Sequence, residues 1–78
     1  MDEDLTRFAS NEIINYVNAH PDSADTVNGI HQWWIQWPDA AGSLQVTVTA
    51  LEQLQWDGLM EMVPIGDGGR ILWRRRRE

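Results

Sequence analysis

The chain has no cysteine and no lysine, only three prolines, and few aromatics other than tryptophan. Without cysteine there are no disulfides and no thiolate zinc site, so packing alone must hold the fold. No stretch approaches the ~18 consecutive apolar residues that a membrane-spanning helix needs. The acidic start Asp2-Glu3-Asp4 is the reverse of a signal peptide's basic lead. A soluble, cytoplasmic protein with no membrane partner is expected. The lack of lysine makes every basic residue an arginine, and their placement is lopsided. Residues 1–69 carry eleven acidic side chains against Arg7 alone, a net of −10. Residues 70–78 carry Arg70, Arg74, Arg75, Arg76 and Arg77 against Glu78, a net of +4. The body should repel polyanions while its arginine segment attracts them.

What is present is tryptophan and helical periodicity. At 78 residues there is room for one hydrophobic core, so residues 1–78 read as a single domain. Residues 1–4 read as an acidic start that frays, and residues 76–78 as a basic tail. Trp33, Trp34, Trp37, Trp56 and Trp73 can each bury ~150–250 Å². Leu5, Phe8, Ala9, Ile13, Tyr16 and Val17 share one helical face, and His20-Pro21 ends that helix because the residue before proline is pushed out of helical geometry. An alternative start lies after Ser10. Asp22 to Asp25 read as a turn. Asp25 or Thr26 caps a second helix whose stripe is Val27, Ile30, Trp33, Trp34 and Trp37, stopped by Pro38-Asp39. Gly29 within it implies a close approach to a neighbouring helix.

The third helix is the best-marked stretch. Ser43 is placed to cap it through its hydroxyl, and Val48, Leu51 and Leu54 share its inner face with Trp56 near the edge. Asp57-Gly58 stops it, since glycine accepts the left-handed conformation of a helix end. Met60 to Ile65, the turn Gly66-Asp67-Gly68-Gly69 and Arg70 to Arg75 then read as a hairpin. Pro64 belongs at an edge or a strand end, because it has no N–H for a ladder. On the second strand Ile71, Trp73 and Arg75 share one side and Leu72, Arg74 and Arg76 the other.

The order Ala50-Leu51, Leu54, Gly58-Leu59 (A-L-x-x-L-x-x-x-G-L) resembles the third helix and first wing strand of winged helix-turn-helix domains. That resemblance covers residues from about 5 to 76. It implies an α+β fold: a small winged-helix domain of three helices followed by a two-stranded β-hairpin wing. It also implies two binding elements, an outward face on the third helix, here Gln45, Thr47, Thr49 and Gln53, and a basic wing, here Arg70, Arg74, Arg75, Arg76 and Arg77.

No residue constellation suggests catalysis. Ser10, Ser23 and Ser43 have no base at a recognisable spacing, and His20 sits at an exposed helix end. His31 lies opposite the Ile30/Trp34 stripe and reads as a solvated surface imidazole. Two histidines eleven residues apart match no structural zinc spacing. The Gly66–Gly69 turn joins two strands and holds an acid where a phosphate would sit. No catalytic residue, metal, cofactor or small-molecule substrate is expected. Trp33 and Trp34 are about 100° apart on a helix, so core packing of all three neighbours competes with a partly exposed Trp33 or Trp37 at an interface.

Partner choice turns on the third helix. Gln and Thr can read base edges, yet Glu52 and Asp57 would face phosphates and no basic residue lies between Leu44 and Arg70. Phosphate contacts normally dominate affinity for nucleic acid. The favoured reading is therefore a non-catalytic winged-helix module that binds another protein, as adaptor, subunit or self-associating unit. The alternative is a DNA-binding transcriptional regulator using the third helix and the arginine-rich wing.

Overall fold

The computed structural model describes residues 2–37, 42–66 and 68–76. The expected helix stop at Pro38-Asp39, the turn residue Asp67 and the wing residue Arg77 lie outside them. The elements run α1 (Asp2–Ala19), β1 (Ala24–Asp25), α2, α3 (Leu44–Trp56), β2 (Met60–Ile65) and β3 (Arg70–Arg75). Helix α2 is one α turn, Val27–Gly29, that widens into a π-helical turn, Ile30–Trp34.

Helix α1 carries Glu3 and Asp4 in its first turn, where negative charge suits the helix dipole. It buries Thr6, Ala9, Ile13 and Val17, while Leu5 is left exposed. It ends at Ala19, one residue before His20-Pro21.

Helix α2 starts at Thr26, whose hydroxyl accepts the Gly29 N–H at 3.2 Å. The Asp25 carboxylate accepts the Thr26 N–H at 2.8 Å and fills the space beside Gly29. The close approach read from Gly29 is therefore made by Asp25, the residue before the cap Thr26, and not by a neighbouring helix. The helix ends at Trp34, earlier than expected, and Ile35 turns extended (φ −103°, ψ 122°). That turn lets two consecutive residues, Trp34 and Ile35, both point inward. Trp37 folds back, donating its indole N–H to the His31 carbonyl at 3.0 Å. Gly42 has no side chain to obstruct the Trp37 ring that lies against it.

Helix α3 has Ser43 at its cap position, but the hydroxyl makes no capping hydrogen bond. Its inward face is Val46, Thr47, Ala50, Leu51 and Leu54, with Val48 only half-buried. The face is turned away from the expected Val48 line. Its end is a complete Schellman motif: Gly58 (φ 79°) donates to the Gln55 carbonyl at 3.0 Å and Leu59 to the Leu54 carbonyl at 2.9 Å.

The sheet has three strands, not the two of a lone hairpin, in the order β1-β3-β2. Beyond the hairpin, Ala24 pairs with Arg74 and Asp25 with Trp73. Two residues read as a turn thus complete the sheet, because the far edge of β3 offers backbone groups that need partners. In β2–β3, Glu61 faces Arg74 and Met62 faces Trp73. Pro64 sits in edge strand β2, where a missing N–H costs least. The core gathers Ala9, Ile13, Val17, Ile30, Trp34, Ile35, Val46, Ala50, Leu51, Leu54, Met60 and Trp73. Each of its large aliphatic side chains contributes about 1.5–3 kcal/mol by leaving water.

Candidate interaction surface

Helix α3 and its C-cap present Gln45, Glu52, Gln53, Trp56 and Asp57 to solvent, with Thr49 half-buried among them. Gln45 reaches along the helix, its Nε2 donating to the Thr49 hydroxyl at 3.4 Å. Thr49 and Gln53 form one wall of a groove of about 610 Å³ against α1, which contributes Glu3, Thr6, Arg7, Ser10 and Ile14. Leu54, Asp57 and Leu59 close its end. A shallower shelf on the outer side joins Thr49, Glu52, Gln53 and Asp57 to Trp56. The two share Thr49, Gln53 and Asp57, so groove and shelf form one continuous surface.

Trp56 dominates that surface. Its side chain is 90% exposed, and the neighbouring Leu59 is 48% exposed. The position follows from the helix end. Trp56 is the last helical residue, and the Schellman turn carries the chain away at Gly58 without folding back over the ring.

Thr47 does not belong to the outward face. It is fully buried, and its hydroxyl shares a 2.6 Å hydrogen bond with Nδ1 of His31. His31 is correspondingly half-buried, packed against the Trp37 ring at 5.2 Å, and is not a solvated surface imidazole. One hydrogen bond removes both residues from their expected roles.

Of the two tryptophans considered for exposure, Trp33 is 74% exposed. Trp37 is half-buried between Phe8, at 6.0 Å, and His31. Trp34 belongs to the core and stacks on Tyr16 at 4.5 Å. Compared with known protein families and with characterised proteins, the chain matches no family model and no curated relative.

The arginines divide. Arg74 donates from Nε to Glu61 across the hairpin at 2.6 Å and is half-buried, so its charge is partly spent inside the molecule. Arg70, Arg75 and Arg76 are exposed. Arg70 lies beside the hairpin turn, and Arg76 follows β3, its N–H donating to the Leu59 carbonyl at 3.0 Å. That bond carries Arg76 to the same end of the molecule as Asp57, Gly58 and Leu59.

Among the described residues, no group of three or more His, Asp or Glu side chains is placed to hold a metal ion. None of the described helices is long and apolar enough to cross a membrane. Sequence reasoning missed Trp56 as a surface residue by placing it at the edge of the inner face. The available signal was its place between Gln55 and Asp57, two polar residues directly before the glycine stop.

Proposed function

We propose that the chain is a non-catalytic winged-helix module that docks on another protein through the outer face of α3. The observation that carries this reading is Trp56. An indole 90% exposed on the shelf that adjoins the groove supplies the kind of side chain in which binding energy concentrates once a partner covers it. The element order supports the fold assignment, with three helices followed by a hairpin and β1 completing the sheet.

The same face argues against duplex DNA. With Thr47 turned inward, its candidate base-reading residues reduce to Gln45, Thr49 and Gln53, flanked by Glu52 and Asp57. Arg70, Arg75 and Arg76 keep a DNA-binding reading open to test, since exposed arginines can hold phosphates.

Two measurements test the proposal. A photo-reactive phenylalanine analogue in place of Trp56 should cross-link to protein when irradiated in the native cell, and one at exposed Asn18 on α1 should not. Anisotropy titration with random-sequence duplex DNA should show no binding at moderate salt. Tight binding there, lost when Arg70, Arg75 and Arg76 are changed to Ser, would overturn the proposal in favour of a DNA-binding regulator.

A further inference from the structure

The surroundings of Trp56 restrict the kind of partner that can cover it. Trp56 and Leu59, three residues apart at the end of α3, are exposed apolar side chains at one turn. Glu52 and Asp57 lie on the α3 side of it, lining the shelf with Trp56. On the strand side Arg76 reaches over Gly58, its Nη1 within 3.2 Å of where a Gly58 Cβ would stand. Asp57 and Arg76 thus both stand at the turn that bears these exposed apolar side chains. Among the described residues the ion pair is Arg74–Glu61, so neither of them is neutralised by the other.

A surface with an acid on one side and a base on the other is complementary to itself. A two-fold axis through the centre places residue i on j and j on i. We infer that the Trp56 surface docks on a second copy of this chain, with Trp56 packed across the axis and Asp57 of each copy facing Arg76 of the other. Charge selects this occupant. Residues 1–69 carry −10, so two copies repel over most of their surfaces. They meet favourably where the arginine end of one faces the acidic helix end of the other. Arginine suits that contact because its planar fork pairs with a carboxylate through two hydrogen bonds. Trp56 is large enough to hold the contact, since covering an indole removes ~150–250 Å² from water per copy. The inference rests on the docking reading above and names the partner for that site.

Sedimentation equilibrium over a concentration series tests it. The mass of the wild-type chain should rise from one chain toward two, and Trp56→Ala should remain a monomer throughout. Asp57→Arg and Arg76→Glu should each weaken association about tenfold, about 1.4 kcal/mol. An equimolar mixture of those two variants should regain it, because every contact in the mixed dimer again joins opposite charges. Restoration on mixing also shows that both variants are folded. A wild-type chain monomeric at every concentration, or a Trp56→Ala chain that dimerises as the wild type does, overturns the inference. If a monomeric chain still cross-links from position 56 to a different protein, self-association falls and the docking reading stands. If it cross-links to nothing, both fall.

Discussion

Thr47 and His31 hold the second and third helices together through one hydrogen bond, 2.6 Å between the threonine hydroxyl and imidazole Nδ1. Thr47→Val keeps the side-chain shape and removes the hydroxyl. The imidazole is half-buried, so water compensates in part, and a loss of about 1 kcal/mol is expected. In a domain of this size that lowers the Tm by about 4–8 °C. A thermal melt followed by tryptophan fluorescence measures it. A Tm unchanged within a degree would mean that the hydrogen bond contributes nothing.

Leu51 and Trp56, both on α3, should respond in opposite ways to truncation. Leu51 is completely buried, and Leu51→Ala should cost about 2–5 kcal/mol through lost burial and the cavity left behind. That is comparable to the whole stability of a small domain, so the variant should be largely unfolded at 37 °C. Trp56→Ala, at a site 90% exposed, should stay within about 0.5 kcal/mol of wild type at concentrations low enough to keep both chains monomeric. Urea denaturation followed by circular dichroism gives both values. A large loss for Trp56→Ala would mean that the indole serves stability and would remove the main support for a docking role.

At Gly29 a helix-favouring alanine, ordinarily worth about 1 kcal/mol in a helix interior, meets the Asp25 carboxylate. To admit the methyl, Asp25 must leave the Thr26 N–H that it accepts at 2.8 Å. Gly29→Ala should therefore be more favourable in an Asp25→Ala background than in the wild type. A double-mutant cycle by urea denaturation should give a coupling of about 0.5 kcal/mol or more. Additive values would mean that the carboxylate moves aside freely.

Glu61→Gln should matter little. The Arg74–Glu61 pair spans two strands, but its side chains are 39% and 30% exposed. Screening limits such a pair to about 0.2–1 kcal/mol, with the difference shrinking as salt rises. Melts at low and high ionic strength check this. A salt-independent loss would point to the hydrogen bond and not the charge.

The legible parts of the fold were those written in local pattern. Period-3.6 spacing marked α1 and α3, Gly58 marked the helix stop, and the glycine-rich turn marked a hairpin whose strands have the expected bounds, Met60–Ile65 and Arg70–Arg75. The illegible parts depend on partners distant in sequence. Ala24 and Asp25 form a strand only because β3 offers an edge. Thr47 is polar by composition and became core because His31, sixteen positions earlier, satisfies its hydroxyl. The stripe of α2 ran on to Trp37 by spacing, but burying Trp34 and Ile35 together required the helix to stop. At the candidate site, the outward position of Gln45 and Gln53 was legible, while Thr49 is half-buried. That of Trp56 was not legible, because one residue at the edge of a helical stripe points inward or outward according to how the whole helix is rotated on its neighbours.

Strand β3 lies between β1 and β2, which do not pair with each other. The sheet therefore has no partial form in which two strands persist without β3. Any fluctuation that lifts Arg70–Arg75 exposes the ladder amides of the hairpin and of the two-residue strand between the first helices at once. Hydrogen exchange should record these segments opening as one cooperative unit, although more than thirty residues separate Asp25 from Met60 along the chain.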